Sequence, residues 1–242
     1  MYDVIALGEL LIDFASKSVD AAGYPTMAAN PGGAPGNFLA ALNAYGRKTA
    51  FLGKVGNDTF GHLLLKTLGE AGIETKGIVV DPTVFTTLAF VTFDETGDRS
   101  FSFARKPGAD TQLTWEEVDK TMIDEAKVFH FGTLSLTGEP ARTTTQKAVA
   151  YAKAQGKLIT CDPNLRKPLW KDLEEAKKLL SLADYGESIE LPMAYTEPEI
   201  LGDGVYFRDV LGFCNSPHNS NEKRNHNLKL LCQTLDGVIL QP

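Results

Sequence analysis

Pro31-Gly-Gly-Ala-Pro-Gly-Asn37 is followed by an apolar run ending at Gly46 and then by Gly53-Lys-Val-Gly-Asn-Asp-Thr-Phe-Gly61, and these two glycine-rich blocks decide the fold. Adjacent glycines let a backbone come close to a ligand because no Cβ intervenes. Gly32 and Gly33 therefore read as a ligand loop, and Asn37 opens the helix behind it. The plain alternative is a helix-opening turn with Asn37 as its cap. The helix runs to Tyr45, and Gly46 suits the residue just past its end. Thr49–Leu52 reads as a strand. Asp58 to Ala71 reads as a second helix, with Phe60, Leu64 and Leu68 on one stripe and Gly72 closing it.

Upstream of the blocks, Val4-Ile-Ala-Leu7 is a short buried-strand run ended by Gly8. Asp13 follows in Gly8-Glu-Leu-Leu-Ile-Asp13. A carboxylate just past a first strand lies at the carboxyl edge of a sheet, where open α/β proteins bind ligands. An ionised Asp accepts hydroxyl groups well; the alternative is a solvated loop residue. Downstream, strand and helix signals keep alternating. Thr114 and Glu117 form a capping box for a helix through Ala126. Val128–Phe131 is a strand, Pro140 suits the first turn of a helix to Gln155, Leu158–Cys161 is a strand, and a helix spans Asp172 to Leu182. This rhythm predicts a mainly parallel sheet covered by helices on both faces.

One stretch breaks the rhythm. Thr87 to Arg105 holds two alternating runs around Asp94-Glu-Thr-Gly97-Asp, with Phe101 and Phe103 interleaved between serines. That is a hairpin with one apolar face, placed as a lid over the strand ends or as a dimer surface. Arg105 ends it and is positioned to close over a polar substrate. Glu139, just before a helix, either binds a ligand or complements the helix dipole. Asp162-Pro-Asn164-Leu-Arg166 follows a strand, and the Arg166 guanidinium is the best anion clamp in the chain. After Asp184 the rhythm stops: prolines fall at 192, 198 and 217 and asparagines crowd 215–227. The chain thus divides into residues 1–184 and a poorly specified tail, 185–242.

The bulk numbers exclude several classes. The 242 residues are 43% hydrophobic and 23% charged, with a net charge of −7. Nucleic acid and anionic membranes reward clustered Lys and Arg, so neither is an expected partner. The apolar runs are too short to span a bilayer, and no basic leader precedes the first strand. Three cysteines without a CxxC pair fit a reducing cytoplasm. No GxxxxGK[ST], GxGxxG or HExxH is present. Cys214, His218, His226 and Cys232 follow no familiar zinc spacing.

Gly8-Glu-Leu-Leu-Ile-Asp13-Phe, Pro31–Asn37, Phe90-Val-Thr-Phe-Asp94 with Arg99-Ser-Phe-Ser-Phe103, and Asp162-Pro-Asn-Leu-Arg166 with Pro168-Leu-Trp170 occur in one order. Together they resemble the ribokinase-like carbohydrate kinases, also called the phosphofructokinase-B family, and within it the bacterial fructokinases. Leu39 departs from the small residue usual there. The resemblance covers residues 1 to about 184. It implies a ribokinase-like α/β fold with a small β lid, and ATP-dependent, Mg²⁺-assisted phosphoryl transfer to a sugar hydroxyl, fructose giving fructose 6-phosphate. A 2-keto-3-deoxygluconate kinase is the sibling alternative. By resemblance Asp13, Gly32, Gly33 and Asn37 hold the sugar. Arg105 and Arg166 match substrate-holding positions of the 2-keto-3-deoxygluconate kinases, and Glu139 and Asn164 face the metal–phosphate region. A homodimer through the lid hairpin is the implied protein partner.

The family's second signature, a Gly-Ala-Gly-Asp turn opening a helix, has no match in this chain. That turn supplies the general base and the backbone amides that stabilise the transferring phosphoryl. The nearest string is Leu201-Gly-Asp203-Gly204, with the order wrong, which leaves Asp203 as the one candidate base. The adenine-binding segments also fall in the region that does not match. Impaired catalysis is therefore expected, with a non-catalytic sugar-binding remnant as the alternative.

Overall fold

Val4, Ile5, Ala6 and Leu7 are all buried, so the first strand needs cover on both of its faces. The computed structural model, which describes residues 1–93, 99–162, 169–170 and 172–180, supplies it. Strand β1 (Tyr2–Leu7) is the centre of a five-stranded sheet. Helix α1 (Ala34–Ala44) leads into β4 (Thr49–Gly56), and α2 (Thr59–Glu70) into β5 (Ile78–Asp81). Beyond β1 on the other side come β8 (Ala126–Gly132) and β9 (Leu158–Asp162), linked by α4 (Ala141–Ala154). The order is β5-β4-β1-β8-β9 and every pair is parallel, as expected from the alternating sequence.

The two faces of β1 feed two cores. Val4 and Ala6 pack with Phe38, Leu39 and Leu42 of α1 and Leu64 and Leu68 of α2. Ile5 and Leu7 pack with Met122 and Ile123 of α3 (Lys120–Asp124), Ala148, Val149 and Ala152 of α4, and Leu179 of α5 (Leu173–Leu180). No helix among the described residues is long and apolar enough to cross a membrane.

A second sheet of four strands, β3-β2-β6-β7, stands on the first core. The hairpin of β6 (Thr87–Phe93) and β7 (Arg99–Ala104) lies where the alternation placed it. Two strands join it that the patterning did not predict, β2 (Leu11–Val19) and β3 (Pro25–Gly32), paired antiparallel. Phe14 of β2 stacks on Phe90 of β6 with ring centroids 5.4 Å apart and meets the edge of Phe60 on α2, also at 5.4 Å, which fixes this sheet against the helix.

Two local expectations change. The first helix begins at Ala34, not Asn37, with Gly33 in the capping position; Pro35 has no N–H to lose in a first turn. The Thr114–Glu117 capping box forms, with the Glu117 carboxylate accepting from the Thr114 backbone N–H at 2.9 Å. It caps a single 3-10 turn, Trp115–Glu117, and the α-helix that follows is only Lys120–Asp124. Glu117 serves both sides: one carboxylate oxygen completes the box and the other pairs with Lys54 at 2.7 Å. The break proposed near residue 184 lies outside the described residues.

Candidate functional site

Where β1 ends, the chain passes through Gly8 and Glu9 into β2, and Asp13 is the third residue of that strand. Asp13 thus lies just past the first strand, within a strand of the second sheet and paired with Asn30 of β3, and is not the solvated loop residue of the alternative reading. Its half-buried carboxylate lies over Gly32, where any Cβ would collide with Oδ2 and come within 3.2 Å of Cγ. Gly33 has φ 121°, a conformation that L side chains rarely adopt, and a Cβ there would run into the Glu9 carbonyl. One turn on, Asn37 is exposed within α1, its backbone N–H donating to the Gly33 carbonyl at 3.0 Å. Asp13, Gly32, Gly33 and Asn37 are therefore neighbours at the junction of the two sheets and the first turn of α1.

The second glycine block is scaffold. The Asp58 side chain caps α2, accepting from the Phe60 and Gly61 backbone N–H groups at 2.9 Å, and its other oxygen accepts from the Thr86 N–H at 2.8 Å. A Cβ at Gly56 would meet Asp58 and lie 2.7 Å from the Thr86 nitrogen, and one at Gly61 would strike the Gly56 carbonyl. Lys54, buried in β4, is held by Asp81 at 3.1 Å and Glu117 at 2.7 Å and donates to the Gln112 carbonyl at 3.1 Å. Burial opposes its charge, but the two carboxylates outweigh it and raise its pKa. The backbone N–H of Thr83, with Lys54, holds the Asp81 carboxyl well below the usual range.

Arg105 sits deeper than expected for a residue closing over substrate. Its side chain is 5% exposed, and Nε and Nη2 both donate to Asp110 Oδ2, at 2.9 and 2.6 Å. Nη1 donates to the Thr137 hydroxyl and Nη2 to the Leu134 carbonyl. These bonds fasten the end of β7 to the 3-10 turn after β8. Glu139 is exposed and accepts from the Thr143 backbone N–H at 3.1 Å, the helix-dipole arrangement. Asn164, Arg166 and Asp203 lie outside the described residues.

One residue at this junction went unassigned in the sequence. Glu9 is 2% exposed, wedged between the ends of β1 and β8 and the start of α1. Its Oε1 accepts from the Ala34 backbone N–H at 3.0 Å, while Oε2 is buried without a hydrogen-bond partner. Burial pushes its carboxyl up to about 7. The signal available was a lone charge between a buried strand and the buried run Leu10-Leu11-Ile12.

Comparison with known proteins places this geometry. The model of the pfkB family carbohydrate kinases matches residues 1–186. The chain belongs to the pfkB family. Fructokinase-2 of Solanum lycopersicum is 44% identical over 191 residues, covering 78% of this chain and 58% of the relative. The crystal structure of a fructokinase from Xylella fastidiosa superposes with a TM-score of 0.71 at 35% identity, over 76% of this chain and 58% of that one. A Pyrococcus horikoshii sugar kinase solved in complex with ATP superposes with a TM-score of 0.68 at 33% identity, over 74% and 59%. The chain thus spans about three fifths of the length of these pfkB relatives. The fold is ribokinase-like, as the motifs implied.

Proposed function

We propose that this chain is the substrate-binding part of a fructokinase-type sugar kinase, whose reaction is phosphoryl transfer from ATP to a sugar hydroxyl. The observation that carries the reading is the Asp13–Gly32–Gly33–Asn37 junction. It puts a carboxylate acceptor over Gly32 and, one helical turn past Gly33, an exposed amide that both donates and accepts, the two kinds of group a polyhydroxylated ligand needs. The backbone between them has no Cβ in the way. Arg105 does not reach for the sugar in this reading; its bonds to Asp110, Thr137 and Leu134 hold the end of β7 in place. The names of the relatives support fructose as acceptor, and the ATP-bound Pyrococcus sugar kinase supports ATP as donor.

The donor side of this reading rests on the relatives rather than on the described residues. Among them no group of three or more His, Cys, Asp or Glu could hold a metal ion, and Glu139 is already turned to the Thr143 N–H. No step through ATP is derived from them. A homodimer through the β6–β7 hairpin belongs to the same reading and is checked by sedimentation.

The test is ATP-dependent phosphorylation of fructose by the 242-residue chain with Mg²⁺, run beside calorimetric fructose binding and a circular-dichroism check of folding. Binding that Asn37→Ala weakens by about tenfold, the loss of one or two good hydrogen bonds, supports the site. Binding without turnover identifies a sugar-binding remnant. Turnover assigns a base in residues 185–242, with Asp203 the first to replace. A folded chain that neither binds nor phosphorylates fructose or 2-keto-3-deoxygluconate overturns the reading.

A further inference from the structure

We propose that Glu9 is a positioning residue for sugar binding: its carboxylate pins the Gly33–Ala34 turn against the ends of β1 and β8, and so fixes the start of α1, which carries Asn37, relative to β2, which carries Asp13. The inference rests on the sugar-site reading above and adds to it a residue that touches no sugar.

The geometry is an interlock of three loops. Glu9 Oε1 takes the Ala34 N–H, one of the free donors at the start of α1. A Cβ at Gly33 would strike the Glu9 carbonyl, and one at Gly132, where β8 ends, would lie 2.9 Å from Glu9 Oε2. Pro35 closes the lock, since a Cβ at Gly8 would come 2.6 Å from its Cγ and one at Gly132 would come 2.7 Å from it. Space for the Glu9 carboxylate is therefore kept clear by the glycine that ends β8, while Gly33 makes room for the Glu9 backbone carbonyl.

The arrangement does not serve stability. A buried carboxylate oxygen without a partner is costly, and each such group in a native protein calls for an explanation. The charged groups acting on Glu9 from the elements around it are Arg105, which favours its ionised form, and Asp110, which opposes it; they are paired with each other, so little net field remains. Ionised Glu9 grips the Ala34 N–H with a charge-assisted bond, roughly twice as strong as a neutral one. The loop is thus held best in the state that burdens the fold most, which is how strain is stored at binding sites.

Glu9→Gln separates this from a packing role, because the amide keeps the shape and one acceptor oxygen but never ionises. Fructose affinity and the thermal midpoint of the full chain would be followed by calorimetry from pH 5.5 to 8.5. Wild-type affinity should rise as pH rises through about 7. The Glu9→Gln chain should bind with no such rise, about tenfold more weakly at pH 8, the difference between a charge-assisted and a neutral bond. Its thermal midpoint at that pH should equal or exceed the wild-type value. A structural residue would lower the midpoint and leave the affinity of the folded chain alone. Equal affinity in the two proteins, or a shared pH profile, overturns the inference while leaving the sugar site standing. A wild-type chain that binds no fructose overturns the sugar-site reading itself and the inference with it. Should Glu9→Gln fail to fold, a flat wild-type affinity profile is enough to overturn the proposal.

Discussion

Gly32 and Gly33 are adjacent and are glycine for different reasons, which separates their substitutions. A methyl at Gly32 displaces a side chain, the Asp13 carboxylate, while the backbone needs no special conformation. A methyl at Gly33 meets backbone, the Glu9 carbonyl, at a φ of 121°. Gly32→Ala is expected to fold near normally and bind fructose at least tenfold more weakly, since its nearest obstacle is the sugar-binding acceptor itself. Gly33→Ala should lose about 1–3 kcal/mol of stability from the backbone alone, read by urea titration. A Gly32→Ala chain with unaltered fructose affinity would remove Asp13 from the site. At this scale the sequence was readable where chemistry and geometry coincide: paired glycines signal close approach, and what approaches is a side chain. Glu9 was unreadable because its role lies in which three loops converge on it, and no spacing encodes that.

At the level of elements, α2 is tied down through one carboxylate. Asp58 serves two donors of its own helix and the Thr86 N–H ahead of β6. Asp58→Ala should therefore cost about 2 kcal/mol, the upper end for a lost cap because a third donor is stranded. Lys54→Ala should cost more, about 3–5 kcal/mol, since it abandons the nearly buried Asp81. Both are measured by denaturant midpoint, and equal losses would mean that the Lys54 cluster is worth no more than a surface ion pair. Helices and core strands were legible because each buries a periodic face. Strands β2 and β3 were not: β3 begins at Pro25, contains Pro31 and is exposed or half-buried along nearly all its length. A strand with no buried face carries no period of two, and β3 is a strand through its pairing with β2. The helix was expected to open at Asn37, with capping by that residue as the alternative to ligand binding; it opens at Ala34, and the capping position goes to Gly33, the residue able to adopt its backbone angle.

Across the whole molecule, two buried titrating groups oppose one another. Burial pushes His130 down to about 3 from an ordinary value of 6.5, so between those values the unfolded chain binds the extra proton and stability rises with pH. Glu9 is pushed up to about 7 from 4.5, so there the folded chain holds the proton and stability falls with pH. Each has a limiting slope of about 1.4 kcal/mol per pH unit, and they overlap between 4.5 and 6.5. Thermal midpoints of the wild type should vary little in that window, whereas Glu9→Gln should climb steeply with pH through it. A Glu9→Gln profile parallel to the wild type would show that Glu9 titrates in the folded chain as it does in the unfolded one.

The central place of β1 also dictates an order of events. Asp3 of β1 pairs with Lys127 of β8 at 2.9 Å, yet well over a hundred residues separate them in sequence. Contacts this distant make folding slow, since the loop between must close before anything is gained. On a ribosome, β1 can find β4 early, and α1 and α2 can shelter Val4 and Ala6. Ile5 and Leu7 must wait for residues 113 to 152 to leave the exit tunnel. A nascent chain of this protein therefore carries a half-clothed sheet for much of its synthesis, with the bare edge of β1 open to whatever strand or chaperone arrives first.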